Sequence, residues 1–153
     1  MINTKQGVTA LEILIVVSIL AFLLAAIVPS FLDFRRNSAL NTGTQEIITV
    51  INKARLSTIS SKGDMQYGVH FEATQVVLFQ GTIYSALAST NEVHILDSTL
   101  TLMSIVVNGG GSEVVFQKIT GETTQNATTT LSVLGTIAST TLVIRPSGVV
   151  TIY

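Results

Sequence analysis

Between Ile13 and Val28 the chain reads ILIVVSILAFLLAAIV, sixteen residues of which Ser18 is the only polar one. Extended back to Val8 the stretch is 21 residues long, and as a helix it would span about 30 Å at roughly 1.5 Å per residue. A helix apolar on every side is buried either in a large core or in lipid. The whole chain has 153 residues, one domain's worth, so a membrane span is the expected fate of this segment. A cleaved secretory signal fits less well, because its apolar region is typically about 7–15 residues and is followed by a small-residue cleavage site. The residues beyond the run, IVPSFLDF, contain no Ala-x-Ala pattern.

Glu12 places a carboxylate inside the first turns of this span. Near a bilayer centre such a group costs about 2.5–3.5 kcal/mol on insertion scales, less toward the end, and it usually marks function. The other reading is a carboxylate at the interface, snorkelling to water.

Composition narrows the remaining classes. Charged residues make up 11% of the chain, against about a quarter in soluble domains. The eight basic and nine acidic residues are scattered, singly apart from Arg35-Arg36, and sum to -1. No basic patch is available to neutralise phosphates, so nucleic acid is not an expected partner. Cysteine is absent, which rules out a disulfide framework or a Cys-based metal site.

The segment Gln6-Gly7-Val8-Thr9-Ala10-Leu11-Glu12-Ile13-Leu14-Ile15-Val16-Val17 resembles the type III signal of type IV prepilins and pseudopilins. That pattern is a short polar leader with a basic residue, a Gly, an apolar residue, Thr, two apolar residues, Glu and a long apolar helix. Here Met1 to Gly7 would be the leader, with Lys5 its positive charge, and the likeness runs from about Lys5 to Pro29. Val8 stands where Phe is usual, and Ala10-Leu11 where Leu-Ile is usual.

The resemblance implies cleavage of the Gly7–Val8 bond by a prepilin peptidase, N-methylation of Val8 by the same enzyme, and filament assembly through Thr9 and Glu12. Gly7 has no side chain to block a protease's approach. The Glu12 carboxylate would pair with the Val8 amine of a neighbouring subunit, because an unpaired charge in an apolar bundle is expensive. Further implied partners are other pilin subunits, an inner-membrane assembly platform and the lipid bilayer. The implied location is a single-pass inner-membrane protein with its C-terminal part outside the cytoplasm, then a pilus or pseudopilus. Charge bias alone leaves orientation open, since Lys5 precedes the span and Arg35 and Arg36 follow it.

Pro29 lacks an amide hydrogen and is expected to kink the helix. Beyond it Leu40, Ile47, Ile48, Ile51, Ala54 and Ile59 recur at helical spacing, separated by polar residues. One helix from about 8 to 60 is therefore expected, bare in its first half and covered in its second, ended by Ser60-Ser61-Lys62-Gly63-Asp64.

After residue 65 the period becomes strand-like. Strands are expected at Tyr67–Phe71, Val76–Phe79, Thr82–Tyr84, Val93–Leu96, Leu100–Val107, Val114–Lys118, Leu142–Arg145 and Val149–Tyr153. Pro146-Ser147-Gly148 reads as the turn of a final hairpin. Thr120–Thr141, with nine Thr in 22 residues, reads as a polar loop plus an exposed strand. The fold class is α+β, a long pilin-like N-terminal helix packed on a C-terminal antiparallel sheet. The expected divisions are 1–7 leader, 8–29 transmembrane and assembly half, 30–60 amphipathic half, and 61–153 β-rich domain.

Three short segments resemble the GspH/FimT-type minor pseudopilin domain: Ile51-Asn52-Lys53-Ala54-Arg55, Tyr67-Gly68-Val69-His70-Phe71 and Ile144-Arg145-Pro146-Ser147-Gly148-Val149-Val150. No acidic cluster follows Glu122, so the C-terminal part offers no Ca²⁺ site of several oxygen ligands. His70 and His94 lie in strand patterns with no second ligand at metal spacing, and Gly109-Gly110-Gly111 lacks the Lys-Ser/Thr of a phosphate loop. No catalytic residue, cofactor or metal is expected. The competing readings are an uncleaved bitopic anchor carrying an extracytoplasmic binding domain and, third, a tethered hydrolase with a dispersed site.

Overall fold

A computed structural model describes residues 7–153. The expected leader residues before Gly7, Lys5 among them, lie outside the described residues. The architecture is α+β: one long helix, α1 (Ala10–Ile59), a 3₁₀ turn (Lys62–Asp64) and eight strands. The strands are β1 (Tyr67–Glu72), β2 (Gln75–Gln80), β3 (Glu92–Ile95), β4 (Leu100–Val107), β5 (Glu113–Val115), β6 (Ala127–Val133), β7 (Ser139–Ile144) and β8 (Val150–Ile152). They form two four-stranded antiparallel sheets, β3-β2-β1-β5 and β4-β6-β7-β8, where one sheet was expected. The chain divides into two compact units, the second beginning at Arg36.

In the second unit, α1 buries Leu40, Thr44, Ile47, Val50, Ile51, Ala54 and Thr58, a spacing of three or four that keeps one face inward. These residues join β1, β2, β4, β6 and β7 in one core that includes Phe71, Phe116, Leu100, Leu131 and Ile144. Gly43 sets how closely the helix approaches the second sheet. A Cβ there would lie 2.5 Å from Leu100 Cδ1 and 3.3 Å from Leu131 Cδ2. The buried hydroxyls of Thr44 and Thr58 donate to the carbonyls of Leu40 and Ala54, at 2.7 and 2.9 Å. Thr58 also accepts the Tyr67 amide at 2.9 Å, tying the helix end to the start of β1.

Thr82–Tyr84 is not a strand. After Gly81 the chain leaves the ladder, and Tyr84 lies across the outer face of the first sheet against His70 and Phe79. That cover is why β2 is buried on both faces, Val77 and Phe79 included. β5 stops at Val115, short of the expected Lys118: the Phe116 amide still bonds to the Tyr67 carbonyl, but the Gln117 amide bonds across its own turn to the Glu122 carbonyl.

The Thr-rich segment holds a central strand instead of an exposed one. β6 sits between β4 and β7, with Ala127, Thr129, Leu131, Ser132 and Val133 buried. β-branched threonines suit a pleated surface, so hydroxyl content concealed a core strand. β4 carries a bulge between Met103 and Val106, where Ser104 takes φ 53°. The final hairpin is as expected, with the Gly148 amide closing the turn on the Arg145 carbonyl.

Candidate functional site: the start of the apolar helix

Among the described residues, the first unit holds one helical segment and no strand. Gly7, Val8 and Thr9 are non-helical and exposed. Thr9 is the N-cap. Its hydroxyl oxygen accepts the Glu12 amide at 3.3 Å, and its carbonyl accepts the Ile13 amide at 3.3 Å as the helix begins. Glu12 thus occupies the third helical position, where the positive end of the helix dipole favours a carboxylate. Thr-x-x-Glu is a capping-box spacing, a signal in the sequence that the expectations above did not use.

Gly7 is not demanded by the chain's own packing. Among the described residues nothing lies within 4 Å of a Cβ built there. From Val8 to Phe34 every side chain whose environment is described is exposed, Phe22 at 77% and Leu11 at 70% among them. So large an apolar surface is the mark of a membrane or protein contact, and the helix is long and apolar enough to cross a bilayer. Ser18 brings no unpaired donor into it, because its hydroxyl donates to the Leu14 carbonyl at 2.7 Å, as lipid requires. The helix is assigned without interruption through Pro29, which has no amide hydrogen to offer the Ala25 carbonyl.

The two histidines are less isolated than their strand positions implied. His70 Nδ1 is 3.3 Å from Glu113 Oε2 and its Nε2 is 3.7 Å from Glu72 Oε1. His94 Nε2 is 3.2 Å from Glu92 Oε1, and its Nδ1 is 3.6 Å from Glu46 Oε1. In both cases the carboxylates approach opposite ring nitrogens, so one ion cannot collect them. No group of three such side chains placed to hold one metal ion occurs among the described residues. Lys53 Nζ binds Glu92 Oε2 at 2.7 Å and holds that carboxyl below its ordinary range. These contacts fasten β3 to α1.

The three segments of the second resemblance meet in part. Arg55 Nε donates to the Gly121 carbonyl at 3.1 Å, and Gly148 packs against the same oxygen and against Arg55. The segment Tyr67–Phe71 is β1, a core strand of the first sheet.

No protein-family model, curated protein or solved structure matches this chain.

Proposed function

We propose that this chain is a structural subunit of a type IV pilus or a type II secretion-like pseudopilus, more in keeping with a minor, GspH/FimT-like subunit than a major one. In this reading the precursor is cut after Gly7, Val8 is N-methylated, and subunits polymerise in the inner membrane through the apolar helix. One observation carries the proposal: an exposed Gly-Val bond stands two residues before a capped helix whose described apolar side chains from Leu11 to Phe34 are exposed, with Glu12 in its opening turn. A simple anchor requires the apolar surface but neither the glycine nor the carboxylate. The glycine suits an incoming protease. The carboxylate suits a cationic partner, the methylated amine of the adjacent subunit, whose charge offsets the penalty of burying Glu12 in a bundle. The chain is then a building block and not an enzyme, with the prepilin peptidase, fellow subunits, assembly platform and bilayer as its partners.

Mass spectrometry of the protein purified from cells that express a prepilin peptidase tests this directly. The expected mature chain begins at Val8 with one added methyl group. An intact precursor would sink the proposal in favour of a bitopic anchor bearing an extracytoplasmic binding domain. Gly7→Leu should accumulate the precursor, and Glu12→Ala should mature normally but assemble poorly.

A further inference from the structure

The geometry points to Thr9 as a positioning residue for cleavage of the Gly7–Val8 bond, acting through the helix cap and resting on the reading above. Thr9 is the last non-helical residue, and its hydroxyl oxygen and carbonyl oxygen take the amides of Glu12 and Ile13. An N-cap residue holds a non-helical backbone while the chain after it is helical. The cap therefore fixes where the helix starts and keeps residues 7–9 out of it. The consequence falls on the bond two residues upstream. A peptide bond inside a helix has its carbonyl engaged and its faces shielded by neighbouring turns, whereas proteases cut exposed, non-helical segments. Without the acceptor at position 9, Val8 and the bond before it can be drawn into a helical turn, since Val8 and Ala10 are no barrier to helix. The cap uses only the Glu12 backbone amide, so the Glu12 carboxylate remains available for its own role.

The Thr9 side chain on this account touches neither the protease nor the reacting atoms. Its removal lowers the fraction of precursor in the cleavable form, and the apparent binding constant rises in proportion to that loss. N-cap losses correspond to on the order of a fivefold change in such an equilibrium.

The test is cleavage of the detergent-solubilised full-length precursor by purified prepilin peptidase, comparing wild type, Thr9→Val and Thr9→Ser. Valine keeps the shape and removes the acceptor, while serine keeps the acceptor. The expected result is a KM raised for Thr9→Val, by at most about fivefold, with kcat unchanged, and wild-type kinetics for Thr9→Ser. Wild-type KM in Thr9→Val, or an equal loss in Thr9→Ser, overturns the cap's role while leaving the filament reading intact. A wild-type precursor that is not cut after Gly7 removes both.

Discussion

Tyr84 lies flat on His70, ring centroids 3.8 Å apart and planes within 10°. The same ring meets Phe79 edge-on at 5.6 Å, and its hydroxyl donates to Glu72 Oε1 at 3.4 Å. Burial and then the Glu72 charge raise the Tyr84 pKa, so the phenol remains a donor well into alkaline solution. One side chain thus holds the segment between β2 and β3 over Val77 and Phe79.

Tyr84→Ala should therefore uncover the outer face of the first sheet. A loss of about 1–3 kcal/mol is expected, below that of a fully buried aromatic because Tyr84 is half-buried. Tyr84→Phe should lose less than about 1 kcal/mol, since only a long hydrogen bond goes. Chemical denaturation in detergent, with hydrogen exchange at the β2 amides, checks both. Equal losses for the two variants would show that stacking contributes little.

Gly148→Ala meets a backbone obstacle. The added Cβ would stand 2.0 Å from the Gly121 carbonyl oxygen and 2.8 Å from Arg55 Nε, at a residue with φ 75°. Overpacking and left-handed strain together should cost about 2–4 kcal/mol. Ser147→Ala, at an exposed neighbour, should change stability by about 0.5 kcal/mol or less. Comparable midpoints for the two variants would refute the close approach.

Thr129 is 1% exposed, and its hydroxyl finds no partner among the described residues. Replacing a buried unpaired hydroxyl by a methyl group of the same shape removes a desolvation penalty. Thr129→Val is expected to stabilise the protein by about 1 kcal/mol, raising the denaturation midpoint. A lowered midpoint would mean that the hydroxyl is bonded after all.

The Lys53–Glu92 pair predicts a pH signature. Glu92 titrates below its ordinary range chiefly because Lys53 donates to it. Its contribution is complete above the unfolded carboxyl value of about 4.3 and is lost as pH falls through the lower folded value. Lys53→Met should be less stable than wild type at pH 7, by less than about 1 kcal/mol because both groups are partly exposed. The gap should close by about pH 2, where the carboxyl is neutral in both proteins. A gap independent of pH would assign the effect to the lysine's alkyl stem.

Local pattern was enough for much of the fold. The span around Ile13–Val28, the buried face from Leu40 to Ala54, the breaker at Gly63 and the final hairpin each follow from residues close together in the chain. Periodicity and turn chemistry act over a few residues, so one sequence displays them. The Thr9–Glu12 cap was equally legible, as a spacing of three. What needed the tertiary structure were relationships between distant segments. Thr82–Tyr84 has strand composition, yet it leaves the ladder, and the Tyr84 ring packs on His70 and Phe79, residues distant in the chain or on another strand. β6 reads as polar, yet Thr129 is buried on the same face as Leu131 and Val133 at the centre of the second sheet. Glu72 and Glu92 lie two residues from His70 and His94 on the same strands, but Glu113 reaches His70 through strand register and Glu46 reaches His94 from α1, and only the tertiary structure shows those two. The sequence alone thus determined the apolar helix and the motif at its start, since both are local. The division into two sheets and the choice of which Thr, His and Tyr face inward were decided by packing, which weighs every segment against all the others at once.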